Sequence, residues 1–191
     1  MFPQWHPPVI FIIVSVGKAD LRQDILRHSN LTVPAMDDTA DTANVIIRPP
    51  LAWGLAIIVG LALHWLVPLP FMPTHLPVGW IGAVIFVLAN ALGVSAVITM
   101  TRAGSNVPTN RPTTTIVERG PYRVTRNPIY VGMFLGQISL AIAFNSVWLL
   151  VTLVPFALVI RYGVIAREEA YLTRRFGDVY RGYCSRVRRW L

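Results

Sequence analysis

A basic loop meets a long apolar run at Glu118-Arg119-Gly120-Pro121-Tyr122-Arg123-Val124-Thr125-Arg126-Asn127-Pro128-Ile129-Tyr130-Val131-Gly132. Asn127 followed by Pro128 predicts a helix that begins at Pro128, because asparagine is a favoured N-cap and proline loses no hydrogen bond at the first helical position. Three arginines lie just before this start: Arg119, Arg123 and Arg126. Since a helix N-terminus carries unpaired N–H groups and a positive dipole end, the motif predicts a site for a carboxylate or phosphate.

The composition indicates an integral membrane protein. Of the 191 residues, 54% are hydrophobic, and they are concentrated in runs too long for a soluble core. The net charge of +8 would suggest nucleic acid in a soluble protein, but here basic residues flank apolar runs, where retention in the cytoplasm beside anionic lipid explains them. We therefore expect no nucleic-acid partner. The single cysteine, Cys184, excludes an internal disulfide and a multi-cysteine metal site, and we predict no metal.

Four apolar segments predict an all-α membrane protein with about four transmembrane helices. The first two segments are uncharged, and Asn90 in the second is expected to make an interhelical hydrogen bond. The apolar residues 128–160 would form a helix of about 50 Å, too long for one span. The polar interruption Phe144-Asn145-Ser146 therefore predicts a helical hairpin. The predicted spans are residues 51–67, 78–100, 128–144 and 146–165.

The regions outside the spans set the expected orientation. Residues 1–50 form an N-terminal extension to which the sequence assigns no role, and residues 51–191 form the predicted membrane domain, ending in an amphipathic tail at 166–191. Most Lys and Arg residues lie in this tail and in the loop after Arg102, whereas the link 68–77 has none. The positive-inside rule therefore predicts that both termini and the site are cytoplasmic.

Two polar segments are expected to meet at that face: the arginine motif, and Glu168-Glu169 with the aromatic residues after it. The two glutamates could instead begin a solvated helix and pair with Arg161, Arg174 or Arg175. The tyrosines could instead form an interfacial aromatic belt. Convergence of all these groups favours a ligand that carries a carboxylate, hydroxyl groups and a cation, since these would meet arginines, a carboxylate and aromatic faces respectively.

The same residues carry a resemblance to a known family. The stretch 120–132, Glu168-Glu169, Phe176-Gly177, Tyr180, Tyr183 and Arg188-Arg189-Trp190 resemble the isoprenylcysteine carboxyl methyltransferase family of integral membrane methyltransferases, whose relatives include phospholipid N-methyltransferases. The resemblance covers residues 78–191. It implies S-adenosylmethionine as cofactor and a lipophilic acceptor that enters from the bilayer. The sequence leaves three acceptors open: an isoprenylcysteine-like carboxylate or thiol, a lipid amine, and a small hydrophobic xenobiotic.

The family motif implies roles for individual residues. The expected cofactor contacts are Tyr122, Arg126, Asn127, Pro128, Tyr130, Gly132, Glu168 and Glu169. The expected acceptor contacts are Tyr180, Tyr183 and Arg188, and no catalytic residue is assigned. Asn127 departs from the family, which usually has histidine at this position. An asparagine amide can donate and accept hydrogen bonds but cannot titrate. Since methyl transfer to a nucleophilic acceptor can run on alignment and electrostatics, we interpret Asn127 as a cofactor contact.

Two other functions compete with methyl transfer. Membrane sterol-type reductases have a similar carboxy-terminal half and use NADPH for hydride transfer. A non-catalytic membrane scaffold could keep the same fold. The adjacent Glu168-Glu169 pair and the small number of spans favour the methyltransferase over the reductase, and the retained site residues argue against the scaffold. The sequence gives no oligomeric state.

Overall fold

The computed structural model describes residues 42–73, 76–107 and 112–191, and within these ranges the chain is helical with no β-strand. The α-helices are α1 (Pro49–Leu66), α2 (Val78–Arg102), α3 (Pro128–Ala143), α4 (Val147–Leu158), α5 (Ala166–Phe176) and α6 (Asp178–Arg186). A 3-10 turn, Gly120–Arg123, precedes α3, and a π-helical segment, Val159–Ile165, joins α4 to α5. The predicted fold class, an all-α membrane protein, is confirmed.

The helices differ in their ability to cross a bilayer. Three are long and apolar enough: α1, α2, and the continuous helix Val147–Phe176 that α4, the π segment and α5 form together. By contrast, α3 has 16 residues and measures about 24 Å, short of a hydrocarbon core of about 30 Å. All four helices lie within two residues of the predicted segments, except that the last continues beyond Ile165 into the predicted tail.

Small residues bring α2 and α3 into close contact. The buried residues of α2 are Gly82, Ala89 and Ala96, which repeat every seventh position on one face. A Cβ on Gly82 would lie 2.5 Å from the Cβ of Ala143, and one on Gly132 would lie 3.0 Å from the carbonyl oxygen of Ala89. The two helix backbones therefore pack directly against each other, as small residues allow in membrane helix pairs.

The hairpin between α3 and α4 turns at Asn145, where the sequence predicts it. Asn145 has a left-handed φ of 47°, a conformation that asparagine tolerates better than most residues. Its Oδ1 accepts hydrogen bonds from the backbone N–H groups of Phe71 and Met72 at 3.0 and 2.9 Å, and its Nδ2 donates to the Met72 carbonyl at 2.7 Å. The side chain thus ties the hairpin tip to the link between α1 and α2, so both lie at the same end of the fold.

The π-helical segment lies immediately before the predicted acidic site. Single π turns inside α-helices occur frequently at functional sites. Here the Gly163 carbonyl accepts a hydrogen bond from the Ile46 backbone N–H at 3.2 Å, and Val45 and Ile47 pack against the adjoining core. The end of the predicted extension, residues 42–48, therefore contacts this helix. Residues 1–41 lie outside the described residues, and the domain boundary at residue 50 stays a prediction.

Candidate active site

The arginine motif folds as a tight turn that leads into α3. Gly120 has a left-handed φ of 55°, and a Cβ there would lie 3.0 Å from the Thr99 hydroxyl of α2, so a glycine suits both the backbone and the space. In the 3-10 turn that follows, Tyr122 is buried against Ala96 and Val117. Burial raises the pKa of the Tyr122 phenol above its ordinary value, so the hydroxyl stays protonated at neutral pH.

Asn127 precedes α3, as predicted, but its side chain does not cap the helix. Instead, Nδ2 donates to the Arg189 carbonyl at 3.0 Å, and the Thr125 hydroxyl donates to the same oxygen at 3.0 Å. The Arg126 backbone N–H donates to the Arg188 carbonyl at 2.9 Å. The predicted N-cap hydrogen bond is therefore wrong, because the Asn127 amide bonds the distant Arg189 carbonyl instead of the first turn of α3. We call residues 187–190 the C-terminal strap, and Asn127 helps to hold this strap against the motif.

An ion network links the motif, α5 and the strap. Arg189 donates from Nε and Nη2 to the two carboxylate oxygens of Glu169 at 2.9 and 2.6 Å. Arg126 Nη1 lies 3.4 Å from Glu169 Oε1 and donates to Cys184 Sγ at 2.6 Å. The side chains of Arg126 and Glu169 are only 15% and 20% exposed. Glu169 is thus held by two arginines, Arg126 and Arg189. Neither is among Arg161, Arg174 and Arg175, the partners expected if the two glutamates began a solvated helix.

The Arg126 side chain has a buried hydrogen-bond donor without a partner. Its Nε is buried and has no hydrogen-bond partner, although Arg126 lines the same pocket as Glu168 and the tyrosines. A buried donor without a partner is costly, and a charged one more so. Arg126 is therefore the candidate residue for binding an anion in this pocket.

Glu168 differs from its neighbour because its hydrogen bond comes from a phenol. Tyr130 Oη donates to Glu168 Oε1 at 2.8 Å, and the structure shows no ion pair between Glu168 and a described cation. Glu168 follows the apolar part of its helix, which ends at Ile165. Burial raises the pKa of its carboxyl to about 7, the hydrogen bond from Tyr130 lowers it, and the charge of Glu169 raises it. The pocket therefore contains a carboxylate that a ligand cation or hydroxyl can still engage.

Aromatic rings and an extended loop complete the pocket. Tyr183 donates from its hydroxyl to the Tyr122 carbonyl at 2.7 Å, which fixes α6 to the motif turn. Tyr171, one turn beyond Glu168, accepts a hydrogen bond from the Thr113 backbone N–H at 3.1 Å. The loop after α2 thereby becomes a wall of the pocket, to which Asn106, Thr113, Thr115, Ile116 and Val117 contribute.

Most residues predicted for the site line this one pocket. Those that do are Tyr122, Arg126, Asn127, Pro128, Tyr130, Glu168, Glu169, Tyr180 and Tyr183. Two do not: Gly132 packs against α2, and the Arg188 side chain is exposed while its backbone pairs with Thr125. Arg119 and Arg123 are also exposed, so of the three motif arginines only Arg126 reaches the pocket. The binding roles of all these residues stay predictions.

Sequence reasoning missed Arg189, Tyr171 and the loop wall. Tyr171 lies three residues after Glu168, a spacing that places both on one face of a helix, so this signal was present. Arg189 belongs to the stretch Arg188-Arg189-Trp190 that carries the family resemblance, but the sequence did not indicate its pairing with Glu169, which lies 20 positions away.

The fold and the pocket define a class: a multi-pass membrane protein with a polar site where its helices end. Comparison with known proteins gives the family. Residues 77–179, more than half of the chain, match the model of the phospholipid methyltransferase family. The chain belongs to this family. The matched region contains α2 to α5 and the two segments that carry Arg126 and Glu168.

A single short alignment adds a relative. An uncharacterized protein of Haemophilus influenzae is 61% identical over 36 residues, which are 19% of this chain and 57% of that protein. The chain thus covers less than two thirds of that relative. No solved structure matches this chain. Family membership favours methyl transfer over the NADPH-dependent alternative.

Proposed function

We propose that the protein transfers a methyl group from S-adenosylmethionine to a lipophilic acceptor at the cytoplasmic face of the membrane. The observation that carries this proposal is the convergence of Arg126, Glu168 and four tyrosines on one pocket at the start of α3. The four tyrosines are Tyr122, Tyr130, Tyr180 and Tyr183. Membership of the phospholipid methyltransferase family supports methyl transfer as the reaction. The residues of the pocket support S-adenosylmethionine as the ligand.

The residues present fit the proposed cofactor. The unpartnered Nε of Arg126 suits its amino-acid carboxylate, because a guanidinium binds a carboxylate through charge-assisted hydrogen bonds. Glu168 suits an ammonium or ribose hydroxyl. The tyrosine rings suit a sulfonium, since aromatic faces attract cations. When bound, S-adenosylmethionine supplies a methyl group that is already electrophilic, so the protein's task is to bind, to align and to exclude water.

The two adjacent glutamates have different proposed roles. Glu169 is held at both oxygens by Arg189 and is close to Arg126, so we assign it to holding the strap and Arg126 in position. Glu168, bonded by Tyr130, is the carboxylate that we assign to the cofactor. Asn127 lines the pocket while its amide holds the strap, and we propose that it contacts the cofactor through its remaining atoms.

The acceptor is proposed to be a membrane lipid or a lipid-linked group. Apolar side chains, among them Met100, Ile129 and Leu172, share the pocket with the polar residues, and the pocket lies at the ends of membrane helices. A lipid amine fits the family name, whereas an isoprenylcysteine-like carboxylate or thiol fits the resemblance in the motif. Tyr180 and Tyr183 are the proposed acceptor contacts inside the pocket.

Cofactor choice tests this function. Purified protein in detergent is expected to bind S-adenosylmethionine and its demethylated product saturably, and to bind NADPH negligibly, as measured by equilibrium dialysis. Saturable NADPH binding without binding of S-adenosylmethionine would refute the proposal in favour of the reductase. Binding of neither would favour the scaffold.

A further inference from the structure

Asn90 lies on a face of α2 that contacts no other helix within the described residues. It is the thirteenth of the 25 residues of Val78–Arg102, hence near the middle of the bilayer, and its side chain is exposed. Its Nδ2 donates to the Phe86 carbonyl of its own helix at 2.8 Å. The expected interhelical hydrogen bond is therefore absent among the described residues, which also provide no partner for the amide oxygen of Asn90.

The exposed face around Asn90 has a heptad spacing. Its residues follow one another by alternating steps of four and three: Ala83, Val87, Asn90, Val94, Val97 and Thr101. All are exposed except Val97, which is half-buried, and Val87 and Val94 are 65% and 56% exposed. We call these six residues the Asn90 face. The contact with α3 uses a different row, Gly82, Ala89 and Ala96. The Asn90 face therefore has no partner in the described ranges 42–73, 76–107 and 112–191.

We infer that the Asn90 face joins two copies of this protein in the bilayer. A primary amide both donates and accepts hydrogen bonds, so it complements an identical amide. All copies of a membrane protein insert in the same orientation, so a two-fold axis along the membrane normal makes two α2 helices parallel and brings Asn90 opposite Asn90. In parallel coiled coils, one asparagine at a core position of the heptad fixes register and strand number.

The other candidates for this face fit less well. A lipid acyl chain offers the amide no hydrogen bond, and lipid ester groups lie far from the bilayer centre. Water is scarce at that depth, where unsatisfied polar groups are costly. The small Ala83 next to the valines lets a second helix approach closely. This inference is independent of the chemistry in the pocket, and it would hold for any reaction of the fold.

The test is the monomer–dimer equilibrium of the full chain in liposomes. Copies labelled with donor or acceptor fluorophores are reconstituted over a range of protein-to-lipid ratios, and energy transfer gives the dissociation constant. We expect Asn90→Leu to weaken association by about three- to thirty-fold, as expected for one hydrogen-bonded contact between membrane helices. The wild-type protein should dimerise at protein-to-lipid ratios at which Asn90→Leu is mostly monomeric.

A matched control moves the amide without changing composition. The double variant Asn90→Ala with Ala91→Asn turns the amide by about 100° around the helix, to another exposed position. It should lose the association as Asn90→Leu does, while far-ultraviolet circular dichroism and thermal unfolding stay as in the wild type. The inference is overturned if the wild type stays monomeric at every density, which would leave lipid or another protein on this face. It is also overturned if either variant dimerises as tightly as the wild type.

Discussion

Arg126→Gln is the substitution from which we expect the largest loss of S-adenosylmethionine binding. The Arg126 side chain is 15% exposed, its Nε has no partner, and the residue lines the pocket. A hydrogen bond to a charged group contributes about 1.5 to 3 kcal/mol. Its loss corresponds to a roughly ten-fold to over hundred-fold weaker affinity at about 1.4 kcal/mol per decade. Arg126→Lys, which keeps the charge but not the planar fork, should lose less.

Arg123→Gln is the matched control, because Arg123 belongs to the same motif but is exposed and does not line the pocket. Equilibrium dialysis with labelled S-adenosylmethionine in detergent measures both affinities, and thermal unfolding checks that both variants are folded. Equal affinities for Arg126→Gln, Arg123→Gln and the wild type would refute the assignment of Arg126. A similar loss in both would mean that general positive charge, and not the pocket, attracts the ligand.

Four further expectations follow, two for Glu168, one for Asn127 and one for the topology. Because burial raises the pKa of Glu168 to about 7, cofactor affinity should fall as pH decreases through neutrality, and this dependence should disappear in Glu168→Gln; a pH profile unchanged by the substitution would contradict it. Since that folded-state pKa lies above the unfolded value, Glu168 should also lower stability as pH rises from about 4.5 to 7, so Glu168→Gln should raise the unfolding temperature more at pH 8 than at pH 5. Asn127→His should leave cofactor affinity within a few-fold; a large gain in turnover at unchanged affinity would show that a titratable group had been missing. Reporter fusions at residues 72 and 145 should both report the non-cytoplasmic side and those at 110 and 191 the cytoplasm, and a difference between 72 and 145 would contradict the contact of Asn145 with Met72.

The helices could be predicted from the sequence because their signals are local. Apolar runs and their polar interruptions depend on neighbouring residues only, so the hairpin turn at Asn145 and the start of α3 at Pro128 agree with the structure. The shortness of α3 follows from the same positions. The sequence did not predict that the last helix continues through Phe176, because the charged residues after Ile165 indicate only where the apolar surface ends.

The site was predictable in its members but not in their pairing. Charge pattern gave Glu169 several candidate arginines, and the structure selects Arg126 and Arg189, which are distant in sequence. Such contacts depend on how the strap crosses the motif, and the strap accepts these hydrogen bonds through its backbone carbonyls, which any residue provides. The difference between Glu168 and Glu169 likewise depends on tertiary contacts, because Tyr130 donates its hydrogen bond to Glu168.

Methyl transfer itself tests the central proposal most directly. Purified protein is incubated with methyl-labelled S-adenosylmethionine and a membrane lipid extract, and the organic phase is analysed for label. We expect time-dependent label in a lipid fraction from the wild type, and little or none from Arg126→Gln at a cofactor concentration that saturates only the wild type. Absence of labelled lipid with the wild type, across extracts rich in amine lipids and in isoprenylcysteine analogues, would contradict the proposed function.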